Sequence, residues 1–289
     1  MANSNDSKKV VAIIGNGFDL DLGLKTMYKD YFESDYWPFK SSLYNENDGL
    51  AKYLNKKFKD NWNDLESLIY EYIIQYASDN KQTEDIQCFN MIIPSLKNYL
   101  LNQSNNYPPK HTHLKPYALE FIEELSKEDN FIIYSFNYTN LYRFCHTSGI
   151  DIDSSKIRYV HGTLKENDMI LGTKCNLVIK GDYRICQKPF QVKYYGTSLR
   201  DDIENAEIVY IFGHSLGSND KDYFDDFFNS IIDNIRSGKL SKLYIYTCDD
   251  DSEIAIKATL QNVYGINLTK LIGFTQFKII KTFSGEVVI

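Results

Sequence analysis

No C-x-x-C pair occurs in this sequence. Its five cysteines, Cys88, Cys145, Cys175, Cys186 and Cys248, are odd in number and widely scattered. That excludes a disulfide framework and a cysteine-built zinc module, and it points to reduced thiols in a cytoplasmic protein. Long apolar runs are missing too. The longest near the start, Val10 to Ile14, is far too short to span a membrane, and the opening MANSNDSKK lacks the apolar region of a signal peptide. There is no run of Lys or Arg, and the formal net charge is −7. A phosphate backbone is therefore repelled overall, so nucleic acid is not an expected partner. No cluster of residues has metal-ligand spacing, and no metal is expected. Internal repeats and low-complexity linkers are absent as well.

What is present is an ordinary globular balance, 43% hydrophobic and 25% charged. A length of 289 residues suits one large α/β domain carrying an insertion better than two full domains. Tyrosine (23) and phenylalanine (17) dominate the aromatics. Tyrosine buries a ring while keeping its hydroxyl bonded, which fits a folded chain with partly polar interior surfaces; an AT-rich genome accounts for the same count equally well.

The run VVAII (10–14), β-branched and closed by Gly15, reads as a buried parallel strand, and GNGFD (15–19) as the turn into a helix. Three apolar stripes at helical spacing follow: Trp62, Leu65, Ile69, Tyr72, Ile73 and Tyr76; Phe89, Ile92, Ile93, Leu96 and Leu100; and Leu114, Tyr117, Phe121 and Leu125. Residues 38–112 thus form a helical insertion, closed by the prolines of YPPKHTH (107–113). Strands are expected at 131–136, 157–162, 169–173, 207–213, 242–247 and 277–283, with helices at 139–147, 220–236 and 251–263. Such alternation implies a Rossmann-like α/β core over 1–37 and 113–289, mainly parallel, with helices on both faces.

Ligands of open parallel sheets bind at the carboxyl ends of the strands. Four expected strands end in polar or glycine-containing motifs there: GNGFD, SFNYTN (135–140), VHG (160–162) and FGHSLGSND (212–220). Gly15 and Gly17 permit close approach to a phosphate or ribose, and equally serve a tight turn with no ligand. Position 20 is leucine, so the third glycine of G-x-G-x-x-G is missing, and no acid-ended second strand follows; a dehydrogenase-type unit is not indicated. Asp19 would repel phosphates. It reads first as a helix N-cap and second as an acceptor for a ribose hydroxyl. Asn137 can orient a water or ribose hydroxyl, or form a cap or Asx-turn. His161 is placed to act as a base near neutral pH, or to bond a backbone carbonyl, and it ranks with His214 above His111, His113 and His146. Glu66 lies at the edge of the first stripe while Asp64 points away. Desolvation would raise its pKa, although a salt bridge or solvent exposure is the commoner fate. Ser218, Asn219 or Asp220 is available to cap the following helix. G-H-S-L-G matches a hydrolase nucleophile elbow by letters only, because no histidine follows His214.

Taken together, IIGNGFDLDLGLKTMYKDYF (13–32), WNDLE (62–66), SFNYTN, HG (161–162) and GHSLGSND (213–220) resemble, in type and order, the AbiH family of bacterial abortive-infection proteins. The same order resembles, more distantly, the sirtuin-like NAD-binding fold. That resemblance implies a nucleotide site in which Gly15 and Gly17 lie by the pyrophosphate, with Asn16 and Asp19 of the same segment also binding the nucleotide. Asn137 and His161 would serve the nicotinamide ribose, and Gly213, Ser215 and Asp220 the adenosine half. Two departures stand out: Thr139 occupies the acid position of the sirtuin N-x-D motif, and the zinc module is missing, which removes features a deacetylase needs.

The function so implied is an antiphage effector that binds NAD or a related nucleotide, as substrate or ligand, and hydrolyses its nicotinamide–ribose bond. Asn137, His161 and Glu66 would be catalytic, and His161, Asn137 and Gly15 would meet in one cleft. A non-catalytic nucleotide sensor signalling through the insertion, or a protein-interaction component of phage defence, is the alternative. A nuclease or protein-interaction toxin working through that surface is a third, with the acidic balance and the lack of a metal-ligand cluster counting against the nuclease. The implied partners are a nucleotide, a phage-derived trigger and further copies of the chain.

Overall fold

Strand β1 (Val10–Ile14) is buried at every residue. A β-branched run with no polar face is stable only in the middle of a sheet covered on both sides. It pairs in parallel with β2 (Phe131–Ser135) and with β4 (Ile208–Phe212). Outside these lie β3 (Ile157–Tyr159), β5 (Lys242–Thr247) and β6 (Phe277–Lys281), giving one six-stranded parallel sheet in the order β3-β2-β1-β4-β5-β6. The computed structural model describes residues 8–41, 49–60, 64–76, 81–107, 115–166, 168–173, 181–194 and 196–282.

Two units are distinguished. The first comprises Met1–Gly23, Pro108–Val160 and Gly196–Ile289, the second Leu24–Tyr107 and His161–Tyr195. The second unit takes in most of the 38–112 segment and adds 161–195, a stretch the sequence pattern left with the sheet.

Unit 1 contains the whole sheet. Its period-two alternation sorts side chains to two faces. Val11, Ile13, Val209, Ile211, Leu243 and Ile245 join Leu199 and Ile203 of α8 (Leu199–Glu204), the Phe224–Phe227–Phe228–Ile231 stripe of α9 (Lys221–Arg236), Ile256 and Leu260 of α10 (Asp250–Asn262) and Leu271 of α11 (Leu268–Ile272). On the other face, Phe121 of α6 (Tyr117–Leu125) packs its ring 5.3 Å from Phe212 and 5.2 Å from Tyr246, and Phe18 of α1 (Asn16–Asp21) lies 5.6 Å from Phe212. Each such ring is worth about 1.5–3 kcal/mol by burial. Helix α7 (Leu141–Thr147) completes the unit.

Unit 2 is helical: α2 (Tyr28–Glu33), α3 (Leu50–Asp60), α4 (Leu65–Tyr76) and α5 (Gln82–Asn105), with short 3₁₀ turns at Gly181–Cys186 and Lys188–Phe190. Trp37 anchors an aromatic nest with Tyr31, Phe39 and Phe58, and its indole N–H donates to Asn55 Oδ1 at 2.8 Å. Leu65, Ile69, Tyr72 and Ile73 are buried as the first stripe requires, whereas Tyr76 is exposed. Trp62, Leu114, residues 108–113 and Cys175 lie outside the described residues. Residues 169–173, expected as a strand, are not one: the ladder there is a single bridge between Thr173 and Gln187. Helix α5 runs through Pro94, which costs it one backbone bond and is tolerated because its Phe89, Ile92, Leu96 and Leu100 face the core.

Candidate functional site

Strand order reverses between β1 and β4, because the chain proceeds from β1 through β2 to β3 on one side and returns to β4 on the other. The carboxyl ends flanking such a reversal form the crevice in which open α/β sheets bind ligands. In unit 1 this edge is built by the turn after β1 and the loop after β4, and the two meet through backbone. Gly15 N–H donates to Phe212 O at 3.0 Å, and Gly17 N–H to Gly213 O at 2.8 Å. A Cβ on Gly15 would lie 2.5 Å from His214 Cα, one on Gly17 2.6 Å from Gly213 Cα, and Gly213, at φ +62, is equally blocked by Gly17 Cα. The close approach these glycines permit is thus first of all to one another.

Asp19 lies in the first turn of α1 and is not its cap: the N-cap is Gly15, with no side-chain bond. Its carboxylate is instead buried and gripped from β2's trailing loop. Thr139 Oγ1 donates at 2.8 Å to Oδ2, and Asn137 Nδ2 donates at 2.8 Å to Oδ1 and at 3.0 Å to Gly15 O. Nor does Asn137 cap α7; Asn140 does, accepting from Arg143 N–H. Burial raises the Asp19 carboxyl to about 7, against the opposing hydrogen bonds of Thr139 and then Asn137. Thr139, from the loop after β2, therefore binds an acid supplied by another element.

The β4 loop is itself constrained. His214 Nδ1 accepts from Leu216 N–H at 3.0 Å, its Nε2 faces Asp220 Oδ2 at 3.5 Å, and its ring packs 4.3 Å from that of Phe136. Leu216 adopts φ +54, the one non-glycine residue with positive φ among those described, and its carbonyl is held by Tyr264 Oη at 3.1 Å. Strained backbone of this kind costs about 1–3 kcal/mol and persists where the surroundings over-determine it. Asp220 precedes α9 as its N-cap residue but makes no side-chain capping bond. Asn16 and Ser215 are exposed, and Gly213 and Asp220 are half-buried. A cleft of about 340 Å³ opens elsewhere in unit 1, at the amino edge of the sheet, lined by Lys9, Phe131, Lys156, Arg158 and Asp202 among others.

The remaining two sequence-derived candidates, Glu66 and His161, belong to unit 2 and share a partner the sequence did not suggest. Lys188 Nζ lies 3.1 Å from Glu66 Oε2 and 3.4 Å from His161 Nε2, and all three side chains are buried. Glu66 Oε1 accepts from Gly172 N–H at 3.0 Å. Asp64, exposed as expected, accepts from Glu66 N–H at the start of α4. Lysine is among the residues least often fully buried, and Lys188 sits outside any periodic pattern, so only its neighbour Pro189 marked the place as structured. Among the described residues no group of three or more His, Cys, Asp or Glu could hold a metal, and no helix is long and apolar enough to cross a membrane.

The sequence matches the family described as Bacteriophage abortive infection AbiH over residues 11–241. The chain belongs to the AbiH family. All five quoted AbiH-like segments carry contacts described above: the first turn of the sheet, Asp64 and Glu66 of WNDLE, the Asn137–Thr139 loop, His161 and the β4 loop. No curated protein matches the chain.

Proposed function

We propose that this AbiH-family chain acts in abortive infection by binding NAD, or a closely related nucleotide, at the carboxyl edge of its sheet and cleaving the nicotinamide–ribose bond. The observation that carries the reading is Asp19. It is a carboxyl buried beside the first glycine turn, at the point where strand order reverses, with its pKa raised to about 7. Such a group is half ionised under cellular conditions, which suits both proton transfer and the stabilisation of positive charge. Cleavage of an N-glycosidic bond passes through an oxocarbenium-like state, and a carboxylate in a dry setting opposes that charge far more strongly than one in water. The negative charge also makes Asp19 a better neighbour for ribose than for phosphate. Asn137, whose amide donates to Asp19 and to Gly15 O, holds the carboxylate toward the turn. Exposed Asn16 and Ser215 supply polar groups at the rim for the rest of the nucleotide.

The test is nicotinamide release by the purified chain incubated with NAD, with and without extract from phage-infected cells, beside a thermal-shift measurement with NAD and with ADP-ribose. The expected outcome is release by the wild type and a loss of at least about 100-fold in Asp19→Asn. A thermal shift with no release under any condition leaves a nucleotide sensor. The absence of both a shift and release overturns the proposal.

A further inference from the structure

Three stretches of unit 2 converge on one buried ionic centre. Glu66 comes from the first turn of α4, His161 from the turn beyond Val160, and Lys188 from the start of the 3₁₀ turn Lys188–Phe190. Backbone contacts fix the segments of Lys188 and His161 in place. Lys188 N–H donates to Thr173 O at 3.0 Å, Thr173 N–H to Cys186 O at 2.7 Å, and Ile170 N–H to His161 O at 2.8 Å. Gly162, at φ +79, has no room for a side chain, since a Cβ would lie 2.1 Å from Asp168 O, so the turn that carries His161 admits only glycine next to it. Asp168 itself accepts from Thr163 N–H at 2.6 Å. Lys188 meets the imidazole at Nε2 and Glu66 meets the same ammonium, with Asp168 further along the turn that carries His161.

A lysine ammonium has three donors and no acceptor. Lys188 keeps its proton here, because neutralising it would leave Glu66 as a lone buried anion 3.1 Å away. An imidazole nitrogen within hydrogen-bond reach of that ammonium must therefore offer its lone pair. The single proton of a neutral ring then resides on Nδ1, and a second proton at Nε2 is opposed by the adjacent positive charge.

We propose that Lys188 is a positioning residue that fixes His161 as the neutral Nδ1–H tautomer, making His161 a hydrogen-bond donor toward an acceptor such as a carbonyl, hydroxyl or phosphate oxygen, with its Nε2 lone pair withheld from base chemistry. Glu66 is the counter-charge that keeps Lys188 in place. This assignment rests on unit 2 alone and is independent of the nucleotide reading.

The test is two-bond ¹H–¹⁵N spectroscopy of the uniformly ¹⁵N-labelled full chain, with the His161 signals identified by their loss in His161→Gln. In the wild type, His161 is expected to show a protonated Nδ1 and a bare Nε2, without titrating between about pH 5 and pH 8. A protonated Nε2, or an ordinary titration near pH 6.5, overturns the proposal. In Lys188→Met the positive charge at Nε2 is gone while the Glu66 carboxylate stays nearby, and His161 is expected to gain proton affinity by tenfold or more, while Lys188→Arg retains the wild-type tautomer. Should the unbalanced Lys188→Met chain not fold, the charge-balanced Glu66→Gln/Lys188→Met pair serves, with the Nε2–H form expected to appear. A pure Nδ1–H signature persisting in either folded variant also overturns the proposal.

Discussion

At Asp19 two opposing effects meet in one side chain. Burial raises its pKa, the hydroxyl of Thr139 and the amide of Asn137 lower it, and burial wins, leaving the carboxyl at about 7. The folded value lies above the unfolded value of about 3.9, so the folded chain binds this proton more tightly. The stability the group contributes is complete below about pH 4 and is lost as the pH rises through about 7. Asp19→Asn removes the ionisation and keeps an acceptor for both donors. The variant is therefore expected to gain stability relative to the wild type as the pH rises from about 5 to about 8, read as a narrowing difference in pH-dependent melting temperature that ends in the variant's favour. Parallel pH dependence in the two proteins would place the titration elsewhere. Glu66 makes the contrasting case. Removing it leaves Lys188 without its carboxylate in a buried site, and Glu66→Ala is expected to cost about 3–5 kcal/mol in denaturant unfolding.

Among the elements, one carboxylate of α5 joins three other segments of unit 2. Asp85 Oδ1 accepts from Leu50 N–H at the start of α3 at 2.8 Å, and Oδ2 accepts from Tyr72 of α4 at 2.8 Å and from Tyr183 at 2.6 Å. Asp85→Ala strands three buried donors and is expected to destabilise the chain by about 3 kcal/mol or more. Tyr72→Phe, which leaves the carboxylate two donors, is expected to cost about 1 kcal/mol, so a similar loss in both variants would argue against Asp85 as the common tie. In unit 1 the loops after β1 and β4 depend on close glycine packing. Gly213→Ala must hold φ +62 with a Cβ 2.5 Å from Gly17 Cα. A loss of more than about 2 kcal/mol is expected, with amide exchange quickened at Gly15 and Gly17 before the rest of the sheet.

Across the whole molecule the large tyrosine content takes on a physical role. Tyr31, Tyr72, Tyr210 and Tyr246 are nearly inaccessible, and burial lifts their hydroxyls well above the usual tyrosine range; Tyr134 and Tyr159 rise to about 12. A raised folded pKa means stability that is complete below about pH 10 and lost as the pH climbs through the folded values. Alkaline spectrophotometric titration is thus expected to show two classes, exposed tyrosines ionising near pH 10 and the buried set ionising only together with loss of tertiary structure. A single transition accounting for all 23 tyrosines would contradict the burial described.

Much of unit 1 is determined by the order of residues alone. Short β-branched runs such as VVAII and FIIYS read as interior strands, and the helical stripe of α9 leaves one face to cover them. Glycine at 15, 17 and 213 marks places where backbone must pass close, and the sequence shows that demand without showing what approaches. Strand order, the meeting of the two glycine loops, the carboxylate of Asp19 answering Thr139, and Lys188 between Glu66 and His161 were settled only by tertiary structure. Periodicity reports which way a side chain faces along its own element. Pairings across some 120 residues, such as Thr139 with Asp19, depend on how elements are brought together, and burial then alters the chemistry of the groups that meet.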